Sequence, residues 1–96
     1  MHNDWTVYLL RCCDGSYYVG HTKDLEKRIS LHNSGRGAAY TAARRPVTLA
    51  FQESATSKSD AIKREKQIKR WSKAKKEALI QGNIALLKKL SRSHSD

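Results

Sequence analysis

The chain has 96 residues, 39% of them hydrophobic, with one Pro and five Gly, which suits one modest core and excludes a collagen-like or disordered composition. Nineteen Lys and Arg against nine Asp and Glu give a formal charge of +10, a field that draws in polyanions and makes nucleic acid the expected partner. No apolar run approaches the roughly 20 residues that cross a bilayer, and Met1-His2-Asn3-Asp4 lacks the plan of a signal peptide, so a cytoplasmic protein with no membrane partner is expected.

Residues 5–12 and 16–21 are rich in aromatic and β-branched types and flank Asp14-Gly15, the pattern of a β-hairpin. A two-residue turn would pair Cys13 with Ser16 and send Tyr8 and Tyr18 to opposite faces of the sheet. A three-residue loop of Cys13, Asp14 and Gly15 instead puts Gly15 in the left-handed position of a bulge and pairs Cys12 with Ser16. Tyr8 then lies opposite Gly20, Tyr18 opposite Leu10, and both rings share one face; this is the predicted register. Cys12 and Cys13 point to opposite sides and are expected to be ordinary thiols, because neither a staple nor a paired zinc spacing is present.

A helix is predicted from about Lys23 to His32, with Thr22 as its N-cap, Asp24 and Glu26 in the first turn, and Asn33-Ser34-Gly35 ending it. At about 100° per residue, Leu25, Arg28, Ile29 and His32 fall on one face, so a face that should pack on a sheet carries two polar side chains. Residues 34–46 read as a loop closed by Pro46, and Val47 to Gln52 as a third strand.

Ser57 with Asp60 resembles a capping box for a helix running to about Arg70, with Ala61, Ile62, Ile68 and Ser72 turned inward. Glu65 lies within that stripe, where an unpaired carboxylate is costly to bury. Two further helices, 72–81 and 83–90, are separated by Gly82, and 91–96 is expected to fray. The elements form one domain over residues 1–90, of α+β class, in the order β-β-α-β-α with one or two extra C-terminal helices.

The positive charge is concentrated. Lys58, Lys63, Arg64, Lys66, Lys69, Arg70, Lys73, Lys75 and Lys76 crowd one stretch that holds only Asp60 and Glu65 as nearby acids before Glu77, and Arg36, Arg44 and Arg45 sit in the upstream loop. Lys23, Arg36, Arg44, Arg45, Lys63, Arg64, Lys66, Lys69 and Arg70 are the candidate phosphate contacts. Arg28, His32 and Glu65 on faces that ought to be apolar have two readings, a salt bridge of Glu65 with Arg28 at the core edge or a functional cleft.

Thr6-Val7-Tyr8, Tyr18-Val19-Gly20, Arg28, His32 and Glu65, in that order, resemble the GIY-YIG nuclease superfamily, and the segment from Arg28 to Pro46 is most similar to its short single-domain bacterial members and its structure-specific junction nucleases. The resemblance covers about residues 5–72 and implies a small three-stranded antiparallel sheet flanked by helices. It implies an endonuclease that hydrolyses phosphodiesters in nucleic acid, DNA ahead of RNA, branched or single-stranded, in repair or recombination, alone or with a protein partner that supplies targeting. A basic nucleic-acid-binding module without chemistry is the alternative.

By the same resemblance Glu65 holds one Mg²⁺ or Mn²⁺, Tyr8, Tyr18, Arg28 and His32 complete the catalytic set, and Gly20 is structural. One inward carboxylate suits one metal, and Arg28 suits a non-bridging phosphate oxygen. A tyrosine acting as base needs a cation to lower its pKa, with His32 accepting or relaying the proton; either Tyr8 or Tyr18 fits that role. His21, on the strand face opposite Tyr18, is left outside the set. Trp71 is expected to pack, although an exposed indole beside Arg70 and Lys73 would be able to stack a base.

Overall fold

In the computed structural model, which describes residues 4–93, strands β1 (Trp5–Arg11), β2 (Tyr17–Thr22) and β3 (Thr48–Ala55) form one antiparallel sheet in the order β2-β1-β3. Helices α1 (Leu25–Asn33) and α2 (Ala39–Ala42) lie between β2 and β3, and α3 (Lys58–Lys69), α4 (Lys73–Gln81) and α5 (Ile84–Ser93) follow. This is the α+β, three-stranded arrangement expected. None of these helices is long and apolar enough to cross a membrane.

The hairpin has the bulged register. Cys12 N–H donates to Ser16 O at 2.8 Å and Gly15 N–H to Cys12 O at 3.0 Å, with Gly15 at φ 86°, the left-handed region where a side chain is disfavoured. Tyr8 therefore pairs with Gly20 and Leu10 with Tyr18. Neither cysteine is in a disulfide; Cys12 is buried and Cys13 exposed.

Alternation along the strands splits the core between two sheet faces. Val7, Leu9 and Val19 pack with Ala61 and Ile68 of α3 and with Trp71, while Tyr8, Leu10, Cys12 and Val47 pack against Leu25 and Ile29 of α1. The two helices thus cover opposite faces. Trp71 is a core residue at 8% exposure, with Arg64 and Lys75 over its ring, which removes it as a base-stacking surface.

Several boundaries differ from expectation for local reasons. Thr22 is not the cap of α1: its hydroxyl accepts from Asp24 N–H, and Asp24 caps by accepting from Lys27 N–H at 3.1 Å, so Lys23 precedes the helix. The third strand runs on to Ala55 because Glu53 and Ala55 continue the face that meets α3. The 34–46 loop contains α2, four residues too short to leave a periodic signal. Helix α5 continues past 90 to Ser93, so part of the predicted frayed tail is helical; 94–96 lie outside the described residues. Ser57 caps α3 as predicted, accepting from Asp60 N–H.

Candidate active site

The site begins with a missing side chain. A Cβ on Gly20 would stand 2.5 Å from Tyr8 Oη, so the bare glycine opposite Tyr8 is what lets the phenol lie across β2 toward the open edge of the sheet. Tyr18, two residues earlier on the same face, has its ring centroid 6.5 Å from that of Tyr8.

Helix α1 brings His32 onto both rings. His32 is fully buried, its ring centroid 4.9 Å from that of Tyr18, and its Nε2 is 3.0 Å from Tyr8 Oη. On the other side Nδ1 is 2.7 Å from Thr41 Oγ1, and the Thr41 hydroxyl donates to Ala38 O at 3.1 Å. With its proton committed to that carbonyl, Thr41 accepts from Nδ1–H. Nε2 then carries the lone pair and accepts from the Tyr8 hydroxyl. Gly37 backbone closes over the imidazole so tightly that a Cβ there would overlap it.

The electrostatics sharpen these roles. Burial, with the neighbouring Tyr18 and Glu65 adding to it and Arg28 opposing it, pushes the Tyr8 pKa up to about 12. Arg28 lowers the Tyr8 pKa, as expected of a neighbouring cation, but by less than burial raises it. Burial, with the charge of Arg28, lowers the His32 pKa and favours the neutral ring. Arg28 is half-buried and borders a groove of about 350 Å³ shared with Lys23 and Lys27.

Glu65 comes from the other side. Because α3 covers the face opposite α1, its carboxylate reaches the β2 edge beside His21 and not beside Arg28: Oε1 makes a short contact with His21 Nδ1, and Oε2 is 2.8 Å from Lys69 Nζ. Burial raises its pKa, but the hydrogen bonds from His21 and Lys69 more than offset this and hold the carboxylate below its ordinary value. The proposed Glu65–Arg28 salt bridge is therefore replaced by a His21–Glu65–Lys69 set. Tyr8, Tyr18, Arg28 and His32 gather on one face; Glu65 stands round the edge, close enough for its charge to act on Tyr8.

Among the described residues no three His, Cys, Asp or Glu side chains converge as a ready-made metal site. One ionised carboxylate fits a hard divalent ion that takes its remaining ligands from water and a substrate phosphate, the usual manner of Mg²⁺.

Of the candidate phosphate contacts, Lys63, Lys66 and Arg70 are exposed along α3 and its end, and Lys23 and Arg36 are exposed near α1. Four others are engaged within the protein, Lys69 through its pair with Glu65. Arg64 grips Glu53 at 2.6 Å, Arg44 binds Asp14 and lies 3.8 Å over the Tyr40 ring, and Arg45 donates to Ala42 O. Asn83 serves structure, its Oδ1 accepting from Leu86 N–H at the start of α5.

The sequence reading set His21 aside and did not single out Tyr40 or Thr41. The signal for His21 was present: a helix on the face opposite Tyr18 must meet whatever side chain alternation turns that way. Tyr40 and Thr41 sit on α2, which has no pattern to reveal it.

Comparison with known proteins places the chain in a family. The GIY-YIG catalytic domain model matches residues 4–78. A UPF0213 protein of Staphylococcus saprophyticus is 54% identical over 77% of this chain and 90% of its own length, and one of Bacillus pumilus is 43% identical over 98% and 94%. The solution NMR structure of a UPF0213 protein from Bacillus halodurans superposes with TM-score 0.53 at 42% identity, covering 81% of this chain and 83% of that one. The chain thus belongs to the GIY-YIG catalytic domain family, a family of nucleases, alongside the single-domain UPF0213 proteins.

Proposed function

We propose that this chain, acting as one unit over residues 1–90, is a divalent-metal-dependent endonuclease that hydrolyses phosphodiester bonds in DNA, in repair or recombination. The observation that carries the reading is the buried line from Tyr8 Oη to His32 Nε2 to Thr41, a proton path with no structural need for a histidine at its centre. A packing role alone would be met by an apolar side chain that avoids desolvating two polar groups.

Tyr8 orients the attacking water and takes its proton while passing its own to neutral His32 in the same step. A phenol raised to about 12 acts as a relay in this way without a standing phenolate. Thr41 holds the His32 tautomer that leaves Nε2 ready to accept. Arg28, permanently charged, binds a non-bridging phosphate oxygen and stabilises the charge that develops there. Tyr18 keeps the His32 ring in place and closes the site to solvent.

A Mg²⁺ or Mn²⁺ at Glu65 would supply Lewis-acid polarisation of the phosphate and leaving oxygen. His21 orients the carboxylate for it, and Lys69, half-exposed, is able to swing from Oε2 to substrate phosphate.

A basic binding module without chemistry is the second reading, favoured by one observation: both Glu65 oxygens already have partners. Incubating the protein with single-stranded, branched and duplex DNA in Mg²⁺ and in EDTA separates the two. The nuclease reading expects Mg²⁺-stimulated strand breaks in at least one substrate. Binding without cleavage in all three overturns it.

A further inference from the structure

Beside the tyrosine–histidine site, the open edge of β2 borders a cleft of about 330 Å³ lined by Tyr17, Tyr18, Val19, Tyr40, Lys69 and Lys76. Neither Tyr40 nor Lys76 has a part in the proton path or in holding a metal. We propose that this cleft is a subsite for one unstacked nucleotide of the DNA strand next to the scissile phosphate, its base against Tyr40 and its phosphate on Lys76. The inference rests on the nuclease reading for its orientation, and it names the substrate class: single-stranded, frayed or branched DNA ahead of intact duplex.

The walls carry two kinds of chemistry. Tyr40 is 38% exposed and stacks against Tyr18 with centroids 6.3 Å apart and planes 29° from parallel, while Arg44 lies 3.8 Å from its ring centroid. Arg44 is itself tied to Asp14 and to Tyr40 O, so the ring is held rigid at the surface. A fixed, partly exposed aromatic offers a base a stacking surface at little cost in conformational entropy.

Tyr17 is a fixed part of the lining, donating its hydroxyl to Glu77 and accepting from Arg11. Lys76 is half-buried in the cleft with no ion pair shown to an acid among the described residues; burial alone lowers its pKa, the situation of a cation awaiting an anion. Lys69 adds a second positive charge on the side toward Glu65.

The volume falls at the small end of the ligand-cleft range, about 300–1,000 Å³, enough for one nucleotide and not for a base pair. An intact duplex keeps its bases stacked inside and offers such a slot only phosphate. A strand with splayed bases fills it.

The test measures binding without cleavage. Fluorescence anisotropy in EDTA is read with an oligothymidylate strand and with a duplex of equal length, for wild type, Tyr40→Phe, Tyr40→Ala and Lys76→Ala. Tyr40→Ala is expected to weaken single-strand binding about 5- to 100-fold while leaving duplex binding within about twofold, and Tyr40→Phe to retain wild-type affinity. Lys76→Ala is expected to weaken the single strand more than the duplex. Equal loss on both substrates, or no loss on the single strand, overturns the proposal; circular dichroism of each variant identifies a loss due to unfolding, and Tyr40→Phe then decides alone by whether an intact ring keeps the single-strand preference. Because no metal is present, failure of the nuclease reading would show as intact binding with no cleavage and would leave this result standing.

Discussion

In the proposed mechanism the chemistry turns on His32, and its protonation makes a prediction. Its pKa lies below 6.5 in the folded chain because the ring is buried beside Arg28. The neutral ring needed to accept a proton from Tyr8 therefore persists down through pH 6.5, and single-turnover cleavage should show an acid limb centred below that value. The same shift has a consequence for stability. An unfolded chain binds a proton at His32 near pH 6.5 while the folded chain resists it, so this contribution is present above that pH and is lost as the pH falls below it. An acid limb centred well above 6.5 would contradict the assignment. Gly20 makes a second test: Gly20→Ala should lower stability by about 1–3 kcal/mol in chemical denaturation and cut activity, because the new methyl displaces the buried Tyr8 ring. An unchanged denaturation midpoint would show that Tyr8 does not need the gap. The Tyr8–Gly20 pairing was legible in the sequence because a hairpin loop has few solutions; the His32–Thr41 bond was not, because it joins a helix to a loop with no periodic signal.

At the scale of elements, the sequence was most informative where a cap or a turn fixes the chain. Gly15, Ser57 and Gly82 mark the bulge, the start of α3 and the end of α4, and all three act as read. What it left open was which sheet face each helix takes. Arg28 and Glu65 each stood out as polar on an apolar stripe, and the natural inference was one shared cleft; α1 and α3 lie on opposite faces, so the two meet round the β2 edge, with His21 and not Arg28 beside the carboxylate. Division of labour on α3 follows. Lys63 and Lys66 point to solvent while Glu65 turns inward, so Lys63→Glu with Lys66→Glu should weaken DNA binding about tenfold or more yet leave the single-turnover rate at saturating DNA near wild type. Gel shifts and cleavage under saturation, run on the same preparation, check this; a lost rate at saturation would mean that the outer face of α3 takes part in catalysis. Arg64 is a poorer probe of binding, because reversing it breaks its pair with Glu53.

Over the whole molecule, a small sheet with helices on both faces places the tyrosine–histidine path and the carboxylate on either side of one edge strand. A net charge of +10 favours a polyanionic partner, and in the proposed function the β2 edge is where that partner meets the site. Charge, the order of motifs and a shared cleft were readable before the fold; the placing of Glu65 and Arg28 on opposite faces was not, since it depends on a strand order and on helix placement that no local pattern encodes. The most direct test is single-turnover cleavage of a branched DNA in Mg²⁺ by wild type and by Glu65→Gln, with binding measured in parallel. Wild type should cut, and Glu65→Gln should cut no faster than wild type in EDTA while binding DNA as tightly or more tightly. A Glu65→Gln protein that cuts at the wild-type rate, or a wild type whose binding to the same DNA never leads to Mg²⁺-stimulated cleavage, would contradict the account.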